Sequence, residues 1–411
     1  MYKKIILMLL ISISTSHIYG SGFQLNEHGA RAMAMAGAFA GLANDPSAIY
    51  FNPAGITQLE GLHFSAGVTL ISPKSSFRGP SPAVTEYKLQ NQLFTPINFY
   101  ATYQINEKFF AGLSVNNQYG LATVWDDNWV GREIAVKTDL QTFYFTPVIA
   151  YKVSDCFSVS VGLVFATGSV ELSRYTDFSP LTGEAKVTLK GTGNAWGYTA
   201  GVLYKPTPTL SFGLSLRSQT KFTFNGTATS AGPAALQSML PSGGISSSIT
   251  TPMNITFGVA VKPIHKLVIT ADFQYVGWSS YDKLAAHFKD VNIPDLSSVR
   301  DYQNTYIIRL GTEYHLFHNL ALRGGLLYDK NPIKDELLDP TLPDADRLGF
   351  NIGFGYKLSE NLLVDVAYFF LRFSERTITN SQVSYTKGFA PFNGTYNSVA
   401  NLFGFNISYN L

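Results

Sequence analysis

The chain has 411 residues, of which only 14% are charged, and thirty basic against twenty-eight acidic residues leave a formal charge of +2. That balance excludes a field built to attract nucleic acid, and the charged fraction is well below the roughly 25% usual in soluble domains. A single cysteine, Cys156, excludes an internal disulfide framework and a cysteine-rich metal site.

Residues 1–20 read as a signal peptide. Lys3 and Lys4 give a basic start, and Ile5 to Ile13 is an apolar core too short to span a bilayer. His17-Ile18-Tyr19-Gly20 offers a small residue before the cut, so the mature chain is expected to begin at Ser21. No cysteine stands there to carry lipid. Residues 21–61 do not alternate. The stretch from Ala30 to Gly41 is small and helix-favouring, and Asn44-Asp45-Pro46 and Asn52-Pro53 force turns. Phe23, Leu25, Met33, Met35, Phe39, Ile49, Tyr50 and Phe51 are too apolar for a disordered tail. The segment therefore reads as a compact plug.

Residues 62–411 are dominated by side chains that switch between apolar and polar. Phe157, Val159, Val161, Leu163 and Phe165 point one way, and Ser158, Ser160 and Gly162 the other. In a soluble sandwich the apolar face is the inner one. In an outer-membrane barrel it faces lipid, and small polar residues line the inside. We place strands near 62–72, 93–105, 108–120, 139–152, 156–174, 190–205, 209–224, 250–262, 266–278, 301–316, 319–329, 346–358, 361–373 and 397–411, about fourteen in all. The connectors alternate short and long, which a sandwich has no reason to do and a barrel does. After residue 20 no apolar run is long enough for a helical span, so only a closed barrel satisfies the backbone inside lipid. The last strand, with Phe403, Phe405, Ile407, Tyr409 and Leu411 on one face, is the kind that barrel assembly machinery reads. The expected architecture is an all-β, antiparallel transmembrane barrel of about fourteen strands, its lumen wide enough to hold the plug.

Gly22-Phe23-Gln24-Leu25-Asn26-Glu27, followed by Asn44-Asp45-Pro46 and Asn52-Pro53-Ala54, resembles the amino-terminal hatch of the FadL family of Gram-negative outer-membrane transporters. The likeness continues in the family's order at Tyr119-Gly120-Leu121-Ala122-Thr123, Asp139-Leu140-Gln141-Thr142, Asn194-Ala195-Trp196-Gly197, Gly277-Trp278-Ser279 and Pro343-Asp344-Ala345-Asp346-Arg347. The resemblance implies a hatched barrel that takes up long-chain fatty acids or other hydrophobic compounds. It implies a monomer among membrane lipid and lipopolysaccharide. Aromatic hydrocarbons as cargo, and a general diffusion porin, are the alternatives.

Arg174, at the outer end of the fifth strand, falls where the family has an arginine that meets the ligand head group; an exposed arginine pairing with Asp177 is the competing reading. Phe23 is expected against the ligand. Arg323 interrupts an apolar strand. Its charge should face the lumen, since lipid exposure costs about 2–4 kcal/mol; a purely structural role there is the favoured reading, with the hatch or a ligand head as the alternatives. Arg347 pairs with Asp344, Asp346 or the hatch. Asn52, Pro53 and Ala54 belong to the hatch, and Gly120 marks a bend. By resemblance, that bend opens the wall sideways toward the bilayer. Residues 233–240 read as a short amphipathic helix, with Leu236 and Met239 as a surface groove for hydrophobic molecules. The short, polar stretch 175–189 departs from the family's extended third loop. No hydrolase, zinc or phosphate-loop motif appears, and His315 and His318 read as a solvated turn, so no cofactor, metal or catalytic residue is expected.

Overall fold

The computed structural model describes residues 22–178, 183–290, 295–385 and 390–411, with the side chains of Leu236 and Ser238 excepted. The signal-peptide expectation lies outside these residues. Fourteen strands close one antiparallel barrel. They are β1 (Leu62–Arg78), β2 (Ile97–Gln104), β3 (Phe109–Asn116 and Gly120–Val124), β4 (Lys137–Ser154), β5 (Phe157–Asp177), β6 (Glu184–Thr207) and β7 (Leu210–Arg217 and Thr220–Ala231). The second half is β8 (Gly243–Thr251 and Met253–Ile264), β9 (Leu267–Gly277), β10 (Thr305–Phe317), β11 (Leu320–Asp329), β12 (Arg347–Lys357), β13 (Leu362–Phe373) and β14 (Gly394–Asn410). Each pairs with its neighbour in sequence, and β14 closes on β1 from Asn410↔His63 to Thr395↔Arg78.

The alternation settles which face is which. Val161, Leu163, Ile149 and Ile352 are all more than half exposed, while Ser158, Ser160, Thr146 and Asn351 are buried. Oily side chains therefore point out and small polar ones in, the arrangement lipid imposes. The outer ends of β5 and β6 run several residues past the expected strands. In β6 the alternation inverts there, with Ala185, Val187 and Leu189 inward and Glu184, Lys186 and Thr188 outward, and the ladder continues to Asp177↔Glu184.

Residues 22–61 lie inside the barrel. The small stretch forms only a five-residue helix, α1 (Ala30–Ala34), and then turns through Ala36 and Gly37 at positive φ. A second short helix, α2 (Ala48–Phe51), leads into a 3-10 turn, Pro53–Gln58. The longer helix that composition favours gives way because the thread must follow the wall. Asp272 of β9 accepts the N–H groups of Phe39 and Ala40, both at 2.9 Å. Asn351 of β12 donates to Met33 O at 2.7 Å, and Asn406 of β14 accepts from Ala30 N at 2.9 Å. Inward glycines permit this closeness: a Cβ on Gly213 would stand 1.9 Å from Ala40 O, and one on Gly325 2.6 Å from Ala36 N.

Candidate functional site

One large cavity, about 510 Å³, lies between the inner segment and the long loops. That falls within the range of small-ligand sites, roughly 300–1,000 Å³. Leu140, Val170, Leu172, Val187, Leu189 and Phe224 line its wall side. These are inward positions of β4 to β7, where the alternation that gives polar residues lower down turns apolar. Phe23 forms its inner end. The Phe23 ring packs edge-on to Trp278 at 4.8 Å, Tyr281 at 5.6 Å and Tyr119 at 6.0 Å. Tyr119 continues to Tyr144 and Phe222, so an aromatic floor crosses the lumen.

The mouth is narrowed by loops that sequence reading left unstructured. Between β9 and β10, Lys283–Phe288 pairs with the outer part of β8, and Leu296–Val299 pairs in turn with it. Leu284, Ala286 and Leu296 thereby join the lining. Trp125 and Trp129 stack at 4.1 Å in the third strand's outer loop, and Trp125 Nε1 donates to Pro340 O at 3.0 Å. Arg300, nearly buried, pairs with Asp339 at 2.6 Å on the cavity margin. The alternation of Leu284, Ala286 and Phe288 with Lys283, Ala285 and His287 is the signal that finds this strand.

Arg174 and Phe23 both line the cavity. Arg174 is half-buried on the inward face of β5, where the Glu133 carboxylate acts on it. Arg323 does not reach the cavity. Its Nε donates to Glu313 and its Nη1 to Asp365, each at 2.6 Å, and Arg31 of the inner segment grips the same Glu313 through two bonds of 2.9 Å. A charge buried that deeply is tolerable only when paired and fully bonded. Arg323 thus has the structural setting favoured for it, between two wall carboxylates, and meets the inner segment only through the Glu313 it shares with Arg31. Arg347 meets both Asp344, at 2.7 Å, and the Gly22 carbonyl, at 2.6 Å, while Asp344 accepts the Gly22 N–H at 2.7 Å.

Asn52 donates to Ala40 O at 3.0 Å and to Val202 O at 2.9 Å, and accepts from Ala54 N. Pro53 and Ala54 begin the 3-10 turn that seats on Gly201, where a Cβ would lie 2.4 Å from Asn52 Oδ1. Residues 234–239 form a 3-10 turn, not an α-helix, and Met239 points away, 60% exposed and absent from the cavity lining. The Leu236 side chain lies outside the described residues. Leu240 instead packs on Ala185 and Val187.

Gly120 stands where β3 is cut in two. Pairing with β4 stops at Asn116↔Tyr144 and resumes at Gly120↔Gln141, so three residues oppose two. The ladder to β2 stops at Asn98↔Asn116. Asn117 patches the break by donating to Thr142 O and accepting from Ile97 N. The remaining main-chain groups turn inward: Gly120 N donates to Phe23 O at 3.0 Å and Leu25 N to Gln118 O at 2.9 Å. The wall's break is thus bonded to the segment that floors the cavity.

A closed fourteen-strand barrel, apolar outside, filled within and holding an apolar cavity under its long loops, defines an outer-membrane transport protein. Residues 11–411 match the model of the family described as outer membrane protein transport protein (OMPP1/FadL/TodX), and the chain belongs to it. The long-chain fatty acid transport protein of Salmonella typhi is 27% identical over 440 residues, covering 100% of this chain and 98% of that one. The protein of the same name from Escherichia coli K12 is 26% identical over 450 residues, again covering 100% and 98%. A solved FadL homologue of Pseudomonas aeruginosa superposes with a TM-score of 0.86 at 21% identity, over 95% of this chain and 99% of that one. The toluene transporter TodX of P. putida does so at 0.75 and 17%, over 94% and 99%.

Proposed function

We propose that the protein takes up long-chain fatty acids: the tail enters the cavity, the carboxylate meets Arg174, and the molecule leaves sideways at the break in β3. The reading is carried by the cavity, an aliphatic and aromatic volume with a guanidinium on its wall. Each methylene withdrawn from water gains about 0.8 kcal/mol, so a dry pocket suits an acyl tail, and a half-buried arginine suits an anion. A toluene-like cargo would leave that charge unused. Residues 22–61 act as the hatch, held by the Arg31–Glu313–Arg323–Asp365 cluster and by Asp344 and Arg347. Displacement of Phe23 by the entering tail would loosen the bonds from Phe23 and Leu25 to the third strand, coupling occupancy to the exit. The relatives named for fatty acid transport support the cargo.

The test is uptake of labelled oleate into proteoliposomes holding an acyl-CoA synthetase. Wild type should accumulate label with little ion conductance. A Cβ at Gly120 would lie 3.2 Å from Leu25 Cδ1, so Gly120→Phe should block uptake while leaving oleate binding intact. Normal uptake by that variant removes the lateral route, and large steady conductance favours a porin.

A further inference from the structure

Seven strands run toward the short turns: β2, β4, β6, β8, β10, β12 and β14. Each carries, at or just before its end, a pair of residues in equivalent places. The pairs are Tyr103-Gln104, Tyr151-Lys152, Tyr204-Lys205, Val261-Lys262, Tyr314-His315, Tyr356-Lys357 and Tyr409-Asn410. The equivalence is structural. The second member of each makes a last main-chain bond across its hairpin or to the neighbouring end: Lys152 N to Lys108 O at 2.8 Å, Lys205 N to Cys156 O at 2.7 Å, Lys262 N to Thr209 O at 2.8 Å, His315 N to Lys266 O at 2.8 Å and Lys357 N to Asn319 O at 2.9 Å.

The two members face opposite ways. Tyr103, Tyr204, Tyr314, Tyr356 and Tyr409 are among the exposed outward residues, forming the aromatic belt that barrels carry at a lipid–water boundary. The next residue shares its parity with buried lumen positions such as Ala150, Leu203, Ala260, Glu313 and Gly355. The cations therefore stand one residue beyond the belt, around the mouth and not toward the bilayer. Lysine and arginine make up 30 of 411 residues, so lysine at four of seven equivalent places is not a matter of composition. The two neutral places flank the point where the chain passes from lumen to wall, with Gln104 Oε1 accepting from Gly61 N.

Lys152, Lys205 and Lys262 stand at the ends of β4, β6 and β8, which Lys205 N to Cys156 O and Lys262 N to Thr209 O tie hairpin to hairpin on one opening, so their like charges act on one another. Among the described residues, Lys152 has one exposed ion pair, with Asp155 in the adjoining turn; Lys205 bonds an amide, Gln58 Oε1, and Lys262 and Lys357 have no carboxylate partner. Like charges held together raise the energy of the isolated molecule, and an arriving anionic surface recovers it.

We propose that this ring is a docking surface for the acidic face of a periplasmic protein. Lipid phosphate is the poorer fit, because the tyrosines occupy the lipid-facing register and the cations turn away from it. The hatch fills the opening behind the ring, so the partner lies across the mouth and does not enter it.

The probe is fluorescent poly-L-glutamate, and the sample is the full chain in nanodiscs of phosphatidylcholine. Wild type should bind it at low ionic strength and release it as salt rises. The triple variant Lys152→Gln, Lys262→Gln, Lys357→Gln should lose at least tenfold in affinity, with folding checked by heat-modifiable gel mobility and retained oleate binding. A control at the opposite end, Lys186→Gln with Lys190→Gln, should bind as wild type does. Equal binding by the triple variant overturns the proposal, as does loss in the control alone. Loss of binding when phosphatidylglycerol is added to the disc assigns the ring to lipid, and the proposal falls.

Discussion

The inner and outer halves of the lumen are built on opposite plans. The inner half is closed by charge and close contact. Arg31, Glu313, Arg323 and Asp365 form a buried chain of ion pairs, and glycines of the wall let the thread at Met33 to Gly41 touch backbone to backbone. The outer half is lined by leucine, valine and aromatic rings around space, with loops folded over it. Directional bonds specify one arrangement and punish any other; apolar walls accept whatever fills them. A transporter needs both, a fixed partition and an undemanding pocket.

The contrast can be broken at its strongest point first. Arg31→Ala leaves Glu313 and Arg323 without their third member. Loss of one partner in a buried pair costs about 3–5 kcal/mol, so the inner segment should come loose, read as increased protease cleavage near residues 31–60 and raised ion conductance. Gly213→Ala tests closeness alone, for its new methyl has 1.9 Å to Ala40 O. Overpacking typically costs about 1–3 kcal/mol, and a shifted thermal transition with an unchanged cavity is the expected result. In the outer half, Arg174→Ala should weaken oleate binding about tenfold to a hundredfold, the range of a charge-assisted hydrogen bond. It should leave binding of an uncharged alkane unaltered, and equal losses for both would make Arg174 a packing residue.

The smallest effect concerns Asp346, in the loop before β12. Burial pushes its carboxyl up to about 9, with Asp344 and Asp329 adding to the shift while Lys330 and Arg376 oppose it. Its folded value lies above its unfolded one, so protonation favours the fold. Below about pH 4 both states hold the proton and nothing is gained. As pH rises from there toward 9 the loop loses stability. Asp346→Asn should flatten that decline, measured as melting temperature between pH 5 and 9.

Much of this was legible in the chain. Alternation gave the wall, and the parity of connector length gave its sidedness, because lipid dictates both. The extension of β6 was missed because above the membrane its outward side becomes polar, so Glu184, Lys186 and Thr188 read as loop although Ala185, Val187 and Leu189 still alternate with them. The break at 117–119 was placed only as a bend at Gly120, for the polar run Asn116-Asn117-Gln118 carries no glycine or proline to mark it. Arg323 could be turned inward by cost alone, but its link to Arg31 spans the length of the chain, and no local pattern encodes it. The cavity roof arises where loops from distant parts of the sequence meet, as at Trp125 and Pro340. The pairs stand in plain view, yet their opposite facing is meaningful only once the register of all seven strand ends is known.

Gly120 N and Gln118 O hold Phe23 and Leu25 as one would hold a missing fifteenth stave. Should that stave slip, two peptide groups would be left unpaired on the lumen side of the gap. Leaving them unpaired carries a cost, so the gap in the wall and the segment that floors the cavity are locked together.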